Sequence, residues 1–270
     1  MKISEYTSEG LSPVGLPPAT DTARPGADAA EWPARTHPIA PWWHTVFLVA
    51  FLVTVSVLTS IESKAKGFSG GHTRRYLFGI AWEWLLAALA WWGIRMGHVP
   101  VRRLLGQRRQ GWRMWARDFG IALIFWLMAM IMLAALAAVL RLMHLLVLQK
   151  AVIELAPQSG VEMVTWLALC LTAGIVEEFV FRGYFLQQFA SLGHSTAIKL
   201  WCGIVASSIL FGISHGYEGI GGMIVITAYG AAFSILAVKR SSLRAGMMAH
   251  AWHDSLTGIA LAIVKHLRVL

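Results

Sequence analysis

The chain has 270 residues, of which 57% are hydrophobic and 14% charged, and its mean hydropathy is +0.60. A soluble domain carries about 25% charged residues, so the composition excludes a soluble enzyme of this length. The net charge of +9 gathers in short stretches between apolar segments, which points to a lipid bilayer as the partner and excludes nucleic acid.

Met1–Pro41 is rich in Pro, Ala, Ser, Thr and Asp and shows no helical stripe. It reads as a disordered cytoplasmic tail, without the basic stretch and apolar core of a secretory signal. Three segments follow that are apolar enough to span, a span needing about 20 residues: Thr45–Ile61, Tyr76–Ile94 and Phe119–Leu140. The second is interrupted only by Glu83, between Trp82 and Trp84. That acid has no predicted partner and is read as structural or interfacial. Met163–Val176 starts a fourth span, and Leu200–Ser214 is the core of a fifth. Ile220–Val238 is a sixth and Leu243–Val264 a seventh containing polar residues. The expected fold is all-α, a polytopic transmembrane helix bundle of about seven to eight spans. Three regions are expected: the tail 1–41, N-terminal membrane helices over 42–150, and a helix bundle over 151–270 that carries the charged residues.

Arg95 through Arg117 holds seven arginines and no acid, and Lys239, Arg240 and Arg244 form a second basic turn. Short basic loops stay cytoplasmic, so residues 95–117 form a cytoplasmic loop, the N-terminus lies inside and the C-terminus outside. Lys64, Lys66, Arg74 and Arg75 then fall on the outer side. The expected location is the plasma (cell inner) membrane, multi-pass. Cys170 and Cys202 lie inside predicted helices and have no metal-type spacing.

Charges within spans are the informative feature, because each costs roughly 2.5–3.5 kcal/mol near a helix centre on insertion scales. They concentrate in three late segments. In Gly174-Ile-Val-Glu177-Glu178-Phe-Val-Phe-Arg182-Gly183, α-helical spacing puts Glu178 and Arg182 on one face as an ion pair. Glu177 is rotated about 100° away and left free to act as a general base. Phe211-Gly-Ile-Ser-His215 ends the fifth span, and His250-Ala-Trp-His253-Asp254 lies in the seventh. His250 and Asp254 share a face, and a carboxylate beside a histidine fixes its tautomer. His253 points to roughly the same side and is a rival. Residue counting from the span ends puts His215 near the outer face and His250 nearer the inner one, so both meet Glu177 only if spans tilt, start elsewhere or break.

Singly, each feature has an ordinary explanation: an interfacial histidine, a structural ion pair, a packing hydrogen bond. Left unpaired together they would cost on the order of 10 kcal/mol, which packing alone does not justify. Intramembrane acids and histidines also mark proton relays, so a proton-coupled transporter is an alternative, as is a non-catalytic immunity or scaffold protein of the same fold.

Glu177-Glu178-x-x-x-Arg182, Phe211-x-x-x-His215 and His250-x-x-x-Asp254 together resemble the motif set of the CPBP family, the CAAX protease and bacteriocin-processing (abortive-infection) family. The similarity covers about Trp166 to Ile263. It implies an intramembrane endopeptidase that hydrolyses a peptide bond near the membrane surface, in a prenylated CAAX-type or a bacteriocin- or leader-type substrate. The partners it implies are a peptide or protein substrate and the bilayer. Carried over by position, Glu177 and His215 activate the attacking water, Glu178 orients that assembly with Arg182, and His250 and Asp254 hold the oxyanion or a second water. The family has been described both as glutamic, with no cofactor, and as dependent on one divalent metal ion such as zinc. A metal would take Glu177, His215 and His250 as ligands. Asp254 departs from the Asn common in the family, and an ionised Asp cannot donate to an oxyanion. This shifts Asp254 toward orienting His250.

Overall fold

In a computed structural model, residues 37–66, 71–105, 111–145 and 153–267 are described. Residues 1–36 of the expected tail, Arg108 and Arg109 of the basic loop, and residues 146–152 around the expected region boundary lie outside them.

The described chain is helical. In chain order it forms α1 (Trp42–Lys66), α2 (His72–Met96), the short α3 (Val101–Leu105), α4 (Trp112–Leu142) and α5 (Gly160–Glu177). A π-helical segment (Glu178–Phe185) continues α5 directly into α6 (Leu186–Ala190). Then come α7 (Thr196–Ser214), a 3₁₀ turn (Gly216–Glu218), α8 (Gly219–Arg240) and α9 (Arg244–His266). Hydrocarbon offers backbone groups no hydrogen-bond partner, so an apolar chain there closes its own ladder as helix. Among the described residues six helical stretches are long and apolar enough to cross a membrane, and the protein is a multi-pass helical membrane bundle. The expected seventh span corresponds to α9, whose 23 residues have the length, while Arg244, His250, His253 and Asp254 lower its apolarity.

Local chemistry sets the ends. Ser159 caps α5 by accepting from the Glu162 N–H at 3.3 Å, and Glu162 reaches back to accept from the Gln158 N–H at 2.7 Å. This is a variant of the reciprocal capping box. Ser195 caps α7 in the same way through the Ile198 N–H. The α8–α9 turn passes through Ser241 in the left-handed region (φ 45°).

The core has two parts. Leu48 and Leu52 of α1, Leu86, Ala90 and Ile94 of α2, and Val180, Phe181 and Phe185 of the π segment form the first. Ala122 and Ala129 of α4 join Tyr229 and Phe233 of α8 and Ala245 and Ala249 of α9 in the second. Large apolar side chains such as Phe78, Met128, Ile131 and Leu142 point outward, as a lipid-facing surface requires.

Two features tie one end of the bundle together. Ile39 and Ala40, placed in the tail by sequence, are instead buried. Both their N–H groups donate to Gln188 Oε1 at 2.9 and 3.1 Å, and Gln188 Nε2 donates to the Ala40 carbonyl at 2.9 Å. A backbone segment entering a packed bundle needs such partners. On the same end, buried Asp118 receives Arg240 on Oδ1 and Arg244 on Oδ2, each at 2.9 Å. This clasp brings the start of α4 and the basic α8–α9 turn together. Asp118→Ala is expected to cost about 1–3 kcal/mol, read as a lower thermal midpoint in detergent. An unchanged midpoint would show that the clasp contributes nothing.

Candidate active site

The polar cluster forms where α5 runs into its π segment. The α-helical register stops at Glu177, a departure from the regular spacing expected there. A π-helical stretch is rare and frequent at functional sites. Glu178 and Arg182 still pair, with Nη1 2.9 Å from Oε1, and both side chains are essentially inaccessible. Arg182 also donates through Nη2 to the Gly230 carbonyl at 3.1 Å. Its guanidinium lies over the Phe211 and Phe233 rings at 4.5 and 5.1 Å. The cation is thus held by a carboxylate, a carbonyl and two aromatic faces.

Gly174 explains how α9 reaches this point. A Cβ there would stand 2.7 Å from the backbone nitrogen of Ala251, so the two helices meet backbone to backbone. That approach delivers the neighbouring His250 into the acids. Gly174→Val is expected to part α5 from α9, costing about 1–3 kcal/mol of stability and weakening every His250 contact. Wild-type thermal stability in this variant would contradict the close approach.

His250 is buried and bridges the cluster. Its Nδ1 lies 3.2 Å from Glu178 Oε1, its Nε2 lies 3.5 Å from Glu177 Oε2, and Asp254 Oδ2 is 3.7 Å from the same Nε2. Phe233 stacks on the imidazole at 5.1 Å. The expected pairing of His250 with Asp254 is present, and so is the Glu178–Arg182 clamp.

The expected reactive pair of Glu177 with His215 is not in direct contact among the described residues. His215 follows the last turn of α7, and its Nδ1 is 3.0 Å from the Phe211 carbonyl and 3.2 Å from Ser214 Oγ. Its ring turns toward Tyr217. His250 meets the glutamates, and His215 lies within electrostatic range of Asp254 and Glu218, with both imidazoles beside the Phe211 ring. His253 packs edge-on against Tyr229 at 4.9 Å, away from the glutamates.

One site residue escaped the sequence argument. Glu83 of α2 is buried and lies within electrostatic range of Glu177 and Asp254. The signal was available, since a lone acid in an apolar span points to function by default.

The proposed metal ligands do not assemble. Among the described residues, no three His, Cys, Asp or Glu side chains are placed to hold a metal ion. Glu177 and His250 meet, but His215 makes no hydrogen bond or ion pair with either among the described residues.

A helical membrane bundle with a buried cluster of acids, an arginine and a histidine thus defines the class. Residues 159–256 match the family model described as Rce1-like, type II CAAX prenyl endopeptidase. Over that stretch the chain is similar to this protease family, in agreement with the CPBP resemblance. The match contains all three motifs and stops short of Glu83. No curated protein and no solved structure matches the chain.

Proposed function

We propose that the protein is an intramembrane endopeptidase of the plasma (cell inner) membrane that hydrolyses a peptide bond near the bilayer surface, with Glu177 as general base. The observation that carries this reading is His250 bridging Glu177 and Glu178 while Arg182 neutralises Glu178. One glutamate is structurally committed, and the other keeps an oxygen for chemistry.

In this mechanism Glu177 takes a proton from water as the water oxygen bonds to the scissile carbonyl carbon. The carbonyl becomes an oxyanion. His250, oriented by Glu178 and Asp254, donates a hydrogen bond to it, and a preorganised donor of this kind is a large catalytic term. The C–N bond then breaks as Glu177 passes its proton to the leaving amine. His215 assists. A carbonyl only accepts, so the Phe211 contact fixes the proton on Nδ1 and leaves Nε2 of the neutral ring as an acceptor. Because the metal ligands do not converge, no step is assigned to a metal.

An apolar groove of about 350 Å³, lined by residues including Trp84, Trp91, Leu105, Phe179 and Met247, opens beside the π segment. It supports a substrate carrying an apolar chain, of CAAX type, over a bare leader peptide.

The test is cleavage of peptides with and without a prenylated C-terminal cysteine by purified protein, comparing wild type with Glu177→Gln, His250→Ala and His215→Ala. Preferred cleavage of prenylated peptides and loss in all three variants are expected. Failure of wild type to cleave either class would sink the reading. Loss of activity in chelator, restored by Zn²⁺, would replace the glutamic route with a metal one.

A further inference from the structure

A hydroxyl in an apolar helix can satisfy itself without water by donating to a carbonyl of its own helix. Thr59, Thr172 and Ser208 do this, each donating to the carbonyl four residues earlier. Ser56 of α1 reaches across to another element instead. It is buried, its Oγ donates to the Ile213 carbonyl at 2.5 Å, and the same oxygen accepts from the Gly216 N–H at 3.3 Å. Those two backbone groups stand on either side of His215. Gly216 is what admits α1 so closely, since a Cβ there would stand 2.8 Å from Ser56 Oγ and 2.9 Å from Ser60 Oγ.

The stretch held in this way is one that a helix alone does not fix. α7 ends at Ser214, and His215 (φ −103°, ψ 28°) carries the chain into the 3₁₀ turn. Backbone groups at a helix end need partners from outside the helix. The imidazole takes its place from this backbone. Its hydrogen bonds among the described residues, from Nδ1 to the Phe211 carbonyl and Ser214 Oγ, both fall within residues 211–215. Whatever holds residues 213–216 therefore holds the ring. Ser56 lies outside residues 159–256 and outside all three motifs.

We propose that Ser56 is a positioning residue of the site: its hydroxyl brackets the backbone on both sides of His215 and so fixes where the imidazole stands. This role rests on the peptidase reading and on His215 taking part, while the bracket itself does not. Ser56 touches no substrate atom and moves no proton. It acts through His215, so its loss lowers kcat and leaves KM.

Wild type, Ser56→Ala, Ser56→Thr and Gly216→Ala test this with the peptides of the cleavage assay. Ser56→Ala is expected to lose about 10-fold in kcat with KM unchanged. Ser56→Thr keeps the hydroxyl and should recover most of that loss. Gly216→Ala should show the same loss from the other side, because its Cβ displaces the Ser56 hydroxyl. Size exclusion and thermal midpoints confirm that the variants fold. Wild-type kcat in Ser56→Ala or in Gly216→Ala, or equal loss in Ser56→Ala and Ser56→Thr, overturns the proposal. Hydrogen exchange reads the bracket without any substrate. The Gly216 amide should exchange about 10-fold faster in Ser56→Ala and at the wild-type rate in Ser56→Thr. An unchanged rate in Ser56→Ala refutes the bracket. If wild type cleaves nothing, the peptidase reading fails by itself and the exchange rates still decide whether Ser56 holds the turn.

Discussion

Arg182→Met is expected to lower the stability of the protein by about 3–5 kcal/mol, the cost of leaving a buried charge without its partner. Arg182 and Glu178 are both fully enclosed, and the guanidinium is the only permanent cation at the cluster among the described residues. Methionine fills much of the space between Phe211 and Phe233 but leaves Glu178 to His250 alone and the Gly230 carbonyl without its donor. Adding Glu178→Gln should recover part of the loss, because the uncompensated charge is then gone. Thermal unfolding in detergent checks both statements. A single variant as stable as wild type would show that the pair is not what holds the π segment in place.

Glu177→Gln should behave in the opposite way. Glutamine keeps the shape of the side chain but cannot take a proton, and a positioned general base contributes about 10²- to 10⁴-fold to a rate. A loss of kcat of that size is expected, with a thermal midpoint close to wild type, since Glu177 is partly accessible at 13% and its charge is shared among several neighbours. Measuring kcat and the midpoint on one preparation separates the cases. If stability falls and residual activity per folded molecule does not, Glu177 is a structural acid and the assignment of roles within the cluster is wrong.

Much of this site was legible in the sequence because it depends on spacing along single helices. The Glu178–Arg182 pair and the His250–Asp254 pair each sit four residues apart, and helical geometry brings such residues together wherever the helix lies. What escaped depends on distances between helices. His215 and His250 are both histidines in polar motifs, and only the packing of α9 on α5 at Gly174 decides that His250 touches the glutamates. Glu83 was set aside because a lone acid on α2 has no partner within its own helix, while the acids within its electrostatic range stand on α5 and α9. The π segment was invisible for a different reason. Its residues are ordinary helix residues, and its widening follows from packing Tyr184 and Gln188 against His44 and Ile39 while Glu178 stays fixed on His250. The docked Ile39 and Ala40 were likewise hidden, since a Pro-rich lead-in with no periodicity gives no hint that Gln188 will satisfy its backbone.

The π segment makes the helix a phase shifter. Before it, side chains are timed to α9 and the glutamate cluster. At its end and beyond it, Tyr184 and Gln188 are timed to the start of α1 and the segment leading into it. A regular α-helix has one fixed angular step per residue, so a side chain chosen to face one partner dictates where all later ones point. A wider turn decouples the two ends. Residues past Phe185 are thereby released from the angular demands of the reacting groups, and the chain around Ile39 can be anchored without turning Glu177 away from His250.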